Sequence, residues 1–286
     1  DQAEIFARLS EQTNMPLVAD IHFRHDLALM VMDSRVAKVR INPGNIGARW
    51  KVREVVRKAM DRSIPLRIGV NAGSLPPRLR KEGEVASAMV KAAEAESEIL
   101  ESLSFTDYIV SLKASDSDTT IEANKQFSKG NSVPLHLGVT EAGPLVPGLV
   151  KSSIALHHLL SEGIGDTIRV SLSDTMEQEI YAAREILRES GQEGSGITLI
   201  SCPRCARATF DVHQFVEAIQ NELRMIDSNS TVAVMGCIVN GPEEAKHADL
   251  GITGSGEQVL IFRHGRVIRK VDPQEAVHAF REELAK

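Results

Sequence analysis

A repeated unit in the first two thirds of the chain constrains its fold more than any other feature. Each unit is a short apolar segment with polar residues at its end, a loop, and a segment with apolar residues at helical spacing. Strand alternating with helix at this interval predicts right-handed βαβ units and a parallel sheet. Six strands are predicted, at residues 16–23, 37–42, 65–71, 107–115, 134–140 and 167–172.

This alternation is typical of the TIM barrel, which closes with eight strands. An open doubly wound sheet is the alternative, but no glycine-rich dinucleotide fingerprint follows any of the strands. We therefore predict an α/β fold with a TIM (β/α)8 barrel. Because the chain opens with DQAEIFARLSEQTN, without Met and within an amphipathic pattern, we expect that the first strands of the barrel are missing from this sequence.

The pattern changes at the segment GQEGSG, residues 191–196, whose composition favours a linker. We predict a TIM-barrel domain over residues 1–190 and a smaller α/β domain over residues 191–286. The elements predicted in the second domain are a strand at 197–201, a helix over Val212–Met225, a strand at 231–236, a hairpin at 259–271 that turns at His264 and Gly265, and a closing helix from Pro273.

Composition argues against several classes of protein. The formal net charge is −6 and no clustered Lys/Arg face is present, which argues against a nucleic-acid partner. No apolar run reaches the roughly 18 residues of a membrane span, and no signal peptide is recognisable, so we expect a cytoplasmic protein without a membrane partner. The odd count of 3 cysteines favours metal or redox chemistry over a disulfide framework.

Polar residues are predicted at or just past the ends of successive strands, the edge at which parallel α/β folds bind ligands. They are Asp20, His22, Arg40, Asn42, Arg67, Asn71, Lys113, Glu141, Arg169 and Ser171. One such arginine is often only a solvated residue, but four cations on four strands favour a ligand with concentrated negative charge, such as a diphosphate. The acid–base candidates are Asp20, His22 and Glu141. His136, His157 and His158 are predicted to be structural.

The cysteines predict a three-thiolate site, with Cys202 and Cys205 in a C-x-x-C loop and Cys237 after a later strand. Iron–sulfur clusters and zinc both accept such ligands, and a thioredoxin-like pair is a third interpretation. A fourth ligand would be a carboxylate, a histidine or an open position. Glu244 and His247 follow Cys237, and His247 would be the ligand expected for zinc. Spacing alone leaves cluster and zinc open.

An ordered set of segments closely resembles the 4-hydroxy-3-methylbut-2-enyl diphosphate synthase family over essentially the whole chain. The segments are ADIHF, VRINPGNIG, RIGVNAGSL, SLKASD, LHLGVTEAG, SEGIGDTIRVSL, SCPRCAR and GCIVNGPEEA. The resemblance implies a TIM barrel, a C-terminal α/β domain with a [4Fe–4S] cluster, and a homodimer in which one subunit's cluster domain closes over the other's barrel. It also implies an oxidoreductase of isoprenoid biosynthesis that opens 2-C-methyl-D-erythritol 2,4-cyclodiphosphate with two electrons from ferredoxin or flavodoxin.

Residue by residue, the resemblance implies cluster ligation by Cys202, Cys205, Cys237 and Glu244. It implies substrate binding by Asp20, His22, Arg40, Asn42, Arg67, Asn71, Lys113, Arg169 and Ser171, and catalytic roles for Glu141 and Glu244. One departure is Glu243, which stands where the family has a glycine beside the ligand glutamate. The alternative is a barrel that binds a phosphorylated metabolite and carries a structural zinc knuckle without redox chemistry.

Overall fold

The computed structural model describes residues 2–75, 84–192, 196–238 and 246–286. The chain divides into two compact units, Asp1–Gln192 and Glu193–Lys286. The sequence places the domain boundary between residues 190 and 191, at the start of the linker segment. Among the described residues, none of the helices has the length and apolar character needed to cross a membrane.

The first unit contains the six predicted strands, and their parallel pairing is confirmed. They are β1 Leu17–Ile21, β2 Val36–Ile41, β3 Leu66–Asn71, β4 Tyr108–Lys113, β5 His136–Leu137 and β6 Thr167–Ile168. The ladders run β1-β2-β3-β4 and β5-β6, and a parallel bridge between Val110 and Leu135 connects β4 to the start of β5. Within the described ranges no ladder joins β6 to β1, so closure into a barrel is not among the observed strand pairings.

Helices alternate with these strands. Those of the first unit are Gln2–Gln12, His25–Val31, Pro43–Ile46, Arg49–Arg62, Val85–Glu101, Ser117–Gly130, Leu145–Ser161 and Met176–Glu189. Their apolar sides pack against one face of the sheet, where Leu66 and Ile68 of β3 are fully buried. Because successive side chains of a strand point to opposite faces, the residue between them, Arg67, points away from the helices. The other face of the sheet therefore carries the polar residues.

The described part of the second unit contains a mixed sheet and two α-helices. Its elements are β7 Thr198–Ser201, the helix Val212–Met225, β8 Thr231–Met235, β9 Leu250–Ser255, β10 Gln258–Arg263, β11 Arg266–Val271 and the helix Ala276–Leu284. The strand order is β11-β10-β9-β8-β7, in which β7, β8 and β9 are parallel and β9, β10 and β11 are antiparallel. The predicted helix and hairpin are confirmed. The hairpin turns at His264 and Gly265, whose φ angles of 48° and 73° suit a two-residue turn.

Strand β9 was not predicted from the sequence. Its segment LGITGS contains two glycines, which lower strand propensity. The structure compensates for one of them, because Gly251 pairs with Phe262 of β10 and a Cβ at Gly251 would lie 2.9 Å from a ring carbon of that phenylalanine. The aromatic ring thus fills the space that a side chain on β9 would occupy.

Candidate functional site

Three charged residues form a row across the first unit's sheet. Asp20 on β1 is in register with Arg40 on β2, and Arg40 is in register with Arg67 on β3. The prediction that Arg67 lies near the C-terminal end of its strand is wrong, since it is the second residue of β3. The parallel ladder is offset, so that the start of β3 lies beside the end of β2. The three side chains nevertheless meet on one face.

Arg40 is the centre of a hydrogen-bond network on this face. Its Nη1 donates to Asp20 Oδ1 at 2.7 Å and lies 2.6 Å from His22 Nε2. Because a guanidinium only donates, His22 Nε2 is the acceptor and its ring carries the proton on Nδ1. Burial and the neighbouring Arg40 lower the pKa of His22, which agrees with a neutral ring, although Asp20 acts in the opposite direction. The predicted pair Asp20 and His22 is therefore joined through Arg40.

A glycine makes room for the guanidinium of Arg40. The side chain of Arg40 is only 5% exposed and lies over Gly69 of β3. A Cβ at Gly69 would stand 2.7 Å from Arg40 Cζ, closer than side-chain carbons approach each other. The absence of a side chain at Gly69 thus permits the arginine to lie flat against the sheet.

Lys113 is a second deeply buried cation of the site. It ends β4, in register with Asn71 of β3, and it is 8% exposed. Gly138 leaves space for it, since a Cβ there would lie 3.2 Å from Lys113 Nζ and 2.5 Å from the carbonyl oxygen of Arg169. Burial, followed by the charges of Arg67, Arg169 and Arg40, lowers the pKa of Lys113 to about 7, and Asp20 offsets this only in part. The site carries an excess of positive charge.

Two further buried groups on this face lack a hydrogen-bond partner within the described residues. One is Nε of Arg67. The Nη2 atom of the same side chain lies 4.0 Å from Asp20 Oδ2, and burial lowers the pKa of Arg67 to about 10. The other is Nε2 of His136 on β5, whose Nδ1 lies 2.8 Å from Thr167 Oγ1. Burial and then Lys113 lower the pKa of His136 to about 2, so the ring is neutral. Unpaired polar groups of this kind favour a site that binds a polar ligand or water.

The remaining predicted residues lie at the end of a strand, as Asn71 does on β3, or on the loops that follow the strands. Asn42 is buried and donates to Ser74 Oγ at 3.0 Å, and Ser74 Oγ in turn donates to the carbonyl oxygen of Asn71 at 3.0 Å. Ser171 is half-buried two positions after Arg169. Glu141 is exposed and has a φ of 51°, a left-handed conformation that strains a residue with a side chain. Strain of this kind is concentrated at functional sites.

The second unit contains the cysteines, and two of them follow neighbouring parallel strands. Cys202 follows β7 and donates its backbone N–H to Val234 of β8 at 3.2 Å, while Cys237 follows the end of β8. The Sγ of Cys202 accepts the N–H of Gly236 at 3.1 Å. None of the three cysteines is in a disulfide; Cys205 is exposed, Cys202 half-buried and Cys237 buried.

This donor set fits an iron–sulfur cluster. Hydrogen bonds from backbone N–H groups to cysteine sulfur are a feature of such sites, and a cluster holds its cysteines on separate iron atoms, so they need not converge on one point. Within residues 2–75, 84–192, 196–238 and 246–286, no three His, Cys, Asp or Glu side chains are gathered closely enough to hold a single metal ion. The predicted ligand Glu244 and its neighbour Glu243 lie outside the described residues, and His247 is exposed.

Comparison with known proteins assigns both units to one family. Residues 1–184 match the model described as the GcpE TIM-barrel domain, and residues 198–286 match the GcpE protein C-terminal domain. The chain belongs to the GcpE family. Together with the names of the relatives described next, this match confirms the predicted resemblance to the 4-hydroxy-3-methylbut-2-enyl diphosphate synthase family.

Curated members of the GcpE family are about half identical to this chain. The protein named 4-hydroxy-3-methylbut-2-en-1-yl diphosphate synthase (flavodoxin) from Treponema pallidum strain Nichols is 50% identical over 306 aligned positions, which cover 100% of this chain and 76% of that protein. Its namesake from Treponema denticola is 51% identical, covering 95% and 76%. The namesake from Thermodesulfovibrio yellowstonii is 50% identical, covering 99% and 82%.

Two residues near the cations of this GcpE family chain were not selected from the sequence as site residues. The sequence predicts a structural role for His136. Because His136 shares a strand face with Gly138, its position along the strand indicates that it lies on the polar side of the sheet. Glu179 lies on the helix Met176–Glu189, with Oε1 3.9 Å from Arg169 Nη2, and it also accepts the N–H of Leu172 at 2.8 Å. It thereby orients a cation whose side chain is 54% exposed.

Replacement of Glu179 by glutamine tests this orienting role. The amide oxygen can still accept the N–H of Leu172, but the attraction to Arg169 is lost. Because half-exposed ion pairs contribute little energy, we expect KM for the diphosphate substrate to rise by roughly two- to fivefold with kcat nearly unchanged. Glu177→Gln, on the exposed first turn of the same helix, is the matched control. A change in melting temperature without a change in KM would assign Glu179 a purely structural role.

Proposed function

We propose that this chain catalyses the two-electron reductive ring opening of 2-C-methyl-D-erythritol 2,4-cyclodiphosphate to 4-hydroxy-3-methylbut-2-enyl diphosphate. The names of relatives about 50% identical over nearly the whole chain support this activity. The structural observation that carries the proposal is the buried, poorly neutralised cation group around Lys113. A group of this kind is unfavourable in the free protein and becomes favourable when an anion binds.

In the proposed reaction the first unit binds the diphosphate. Arg40, Arg67, Lys113 and Arg169 donate charge-assisted hydrogen bonds to phosphate oxygens, which are strong because three of these side chains are largely buried. Binding of the anion raises the pKa of Lys113 towards its ordinary value, because the anion's negative charge favours the ammonium. Asn42, Asn71 and Ser171 supply further hydrogen bonds that fix the orientation of the ring.

Proton transfer is assigned to the loop residues and to the pair beside Arg40. Ring opening with loss of a hydroxyl group as water requires that a proton reach the departing oxygen. The exposed side chain of Glu141 is the proposed group at the reacting carbon. Neutral His22, held through Arg40 to Asp20, binds a substrate hydroxyl or phosphate through its Nδ1–H.

The proposed cofactor is a [4Fe–4S] cluster held by Cys202, Cys205, Cys237 and Glu244. When bound, it would supply the two electrons in single steps and an iron that acts as a Lewis acid. The N–H of Gly236, which donates to the sulfur of Cys202, would stabilise this sulfur as a cluster ligand. We also propose that the strands of the first unit belong to a TIM (β/α)8 barrel, that residues 1–190 bind the substrate and that residues 191–286 bind the cluster. The protein is further proposed to act as a homodimer with a flavodoxin or ferredoxin as its electron donor.

Anaerobic reconstitution with iron and sulfide tests the proposed cofactor. We expect about four irons and four acid-labile sulfides per chain, an EPR signal after reduction with dithionite, and turnover of the cyclic diphosphate. Stoichiometric zinc without labile sulfide would instead support the zinc knuckle and end the redox proposal. His247→Ala separates the two outcomes, because it weakens metal binding only in the zinc case.

A further inference from the structure

The loop that carries the C-x-x-C pair exposes two arginines without a counter-charge. Arg204 and Arg207 flank the exposed Cys205, and among the described residues no carboxylate pairs with either of them. Other arginines of the same unit are paired, for example Arg269 with Glu282 and Arg281 with Glu222. The cysteine loop is therefore a local positive surface on a chain whose formal net charge is −6.

A groove beside this loop reaches the second cysteine. It has a volume of about 520 Å³ and lies between the loop and the helix Val212–Met225. Cys202 and Pro203 line one side, and Val212 and Val216 provide apolar surface. The polar groups include His213, Gln220 and one carboxylate, that of Glu217. Two of the three cysteines are thus accessible from one surface, Cys205 through its exposure and Cys202 through the groove.

We propose that this surface, defined by Arg204, Arg207 and the groove beside Cys202, is the docking site of an electron-donor protein with carboxylates or phosphate around its redox centre. The inference rests on the proposed function and specifies its partner. The printed names of the relatives make flavodoxin the donor to test. Each docking event oxidises the reduced donor by one electron, and two such events supply the electron pair that the ring opening consumes.

Charge complementarity supports this partner. An acidic donor is repelled by a chain of net negative charge as a whole, so productive encounters need a local positive surface. Opposite charges at an interface chiefly set the orientation and rate of encounter, and their effect falls with ionic strength. A donor steered to Arg204 and Arg207 arrives beside two cluster ligands, which keeps the path for electron transfer short.

The double variant Arg204→Glu/Arg207→Glu tests the docking site. We expect the Kd for oxidised flavodoxin, measured by calorimetric titration, to rise by at least about tenfold at low salt, with a smaller difference at high salt. KM for reduced flavodoxin should rise in parallel, while dithionite-driven turnover and the iron and sulfide content stay unchanged. The matched control is Arg266→Glu/Lys270→Glu, the same charge change on exposed positions of β11, at the opposite edge of the sheet from β7.

Several results would overturn the proposal. An unchanged Kd and KM for flavodoxin would show that the donor docks elsewhere. Equal loss of flavodoxin-driven and dithionite-driven turnover, with the cluster intact, would assign the arginines to the substrate. A changed oligomeric state with unchanged flavodoxin binding would make the surface a contact between copies of the chain. If the double glutamate variant loses cluster, Arg204→Gln/Arg207→Gln is used instead to test the docking site. Its Kd for flavodoxin should also rise, but by less than that of the glutamate variant. Failure of the proposed function is distinguishable from failure of the docking proposal. It would appear as absence of acid-labile sulfide in the unaltered protein after reconstitution with iron and sulfide.

Discussion

Replacement of Lys113 by methionine should lower kcat/KM for the cyclic diphosphate by at least about a hundredfold and, at the same time, stabilise the free protein. The loss follows from removal of a largely buried charge from the proposed phosphate site, where truncation of one partner typically costs 2–5 kcal/mol. The gain follows because Lys113 is buried beside Arg67, Arg169 and Arg40. Methionine keeps the length of the side chain and removes this repulsion.

The stability gain of Lys113→Met should depend on pH. The pKa of Lys113 is about 7 in the folded protein, against an ordinary value of 10.5. Between these values the unfolded chain binds a proton that the folded chain does not, so the free energy of unfolding of the unaltered protein rises with pH. The stabilisation by Lys113→Met is therefore largest at and below pH 7 and disappears near pH 10.5.

Thermal unfolding between pH 6 and pH 10, together with steady-state kinetics, measures both effects. Lys91→Met is the control, because Lys91 is exposed on the helix Val85–Glu101 and should change neither quantity. A variant with unaltered kcat/KM would remove Lys113 from the substrate site. A variant that is destabilised equally at all pH values would show that the ammonium has a partner in the free protein.

Replacement of Cys237 by serine should abolish the cluster. Cys237 is buried at the end of β8, next to Gly236, whose N–H is bonded to the sulfur of Cys202. A serine hydroxyl has a far higher pKa than a thiol and does not replace a thiolate ligand under ordinary conditions. We expect acid-labile sulfide to fall from about four per chain to nearly none after reconstitution, and turnover to fall below detection.

The controls for Cys237→Ser separate loss of the cluster from loss of the fold. Far-ultraviolet circular dichroism of the variant should match that of the unaltered protein, because serine is nearly isosteric with cysteine. His247→Ala should retain full sulfide content, since His247 is exposed and is not a proposed ligand. Retention of four sulfides by Cys237→Ser would require a different third thiolate and would refute the ligand set.

The fold was predictable where local patterns agree with the final structure. All six strands of the first unit follow from apolar runs between helical segments, because a parallel sheet buries its strands beneath helices. Strand β9 was missed because its glycines weaken the local signal, and the compensation comes from Phe262 on another strand. A contact between two strands cannot be predicted from the sequence of either strand alone.

The site was predictable in its residue types but not in its geometry. Alternation along strands and the strand-end positions select Arg40, Lys113 and Asp20, whereas the ladder offset that brings Arg67 beside Arg40 depends on pairing. Glu179 could not be selected, because its contact with Arg169 depends on how a helix lies against a loop. The left-handed backbone of Glu141 also has no local signature, since glycine is the residue that such a conformation favours.

The alternation along β3 also bears on how faithfully the sheet assembles. Leu66 and Ile68 lie in the core, while Arg67 between them faces the polar side. A slip of β3 by one residue against β2 would exchange these faces, driving an arginine into the hydrocarbon interior and two aliphatic side chains onto the charged surface. Arg67, which is proposed to bind phosphate, thus also disfavours the wrong register of β3 during folding. A sheet with the correct register has the proposed anion-binding side chains on the same face.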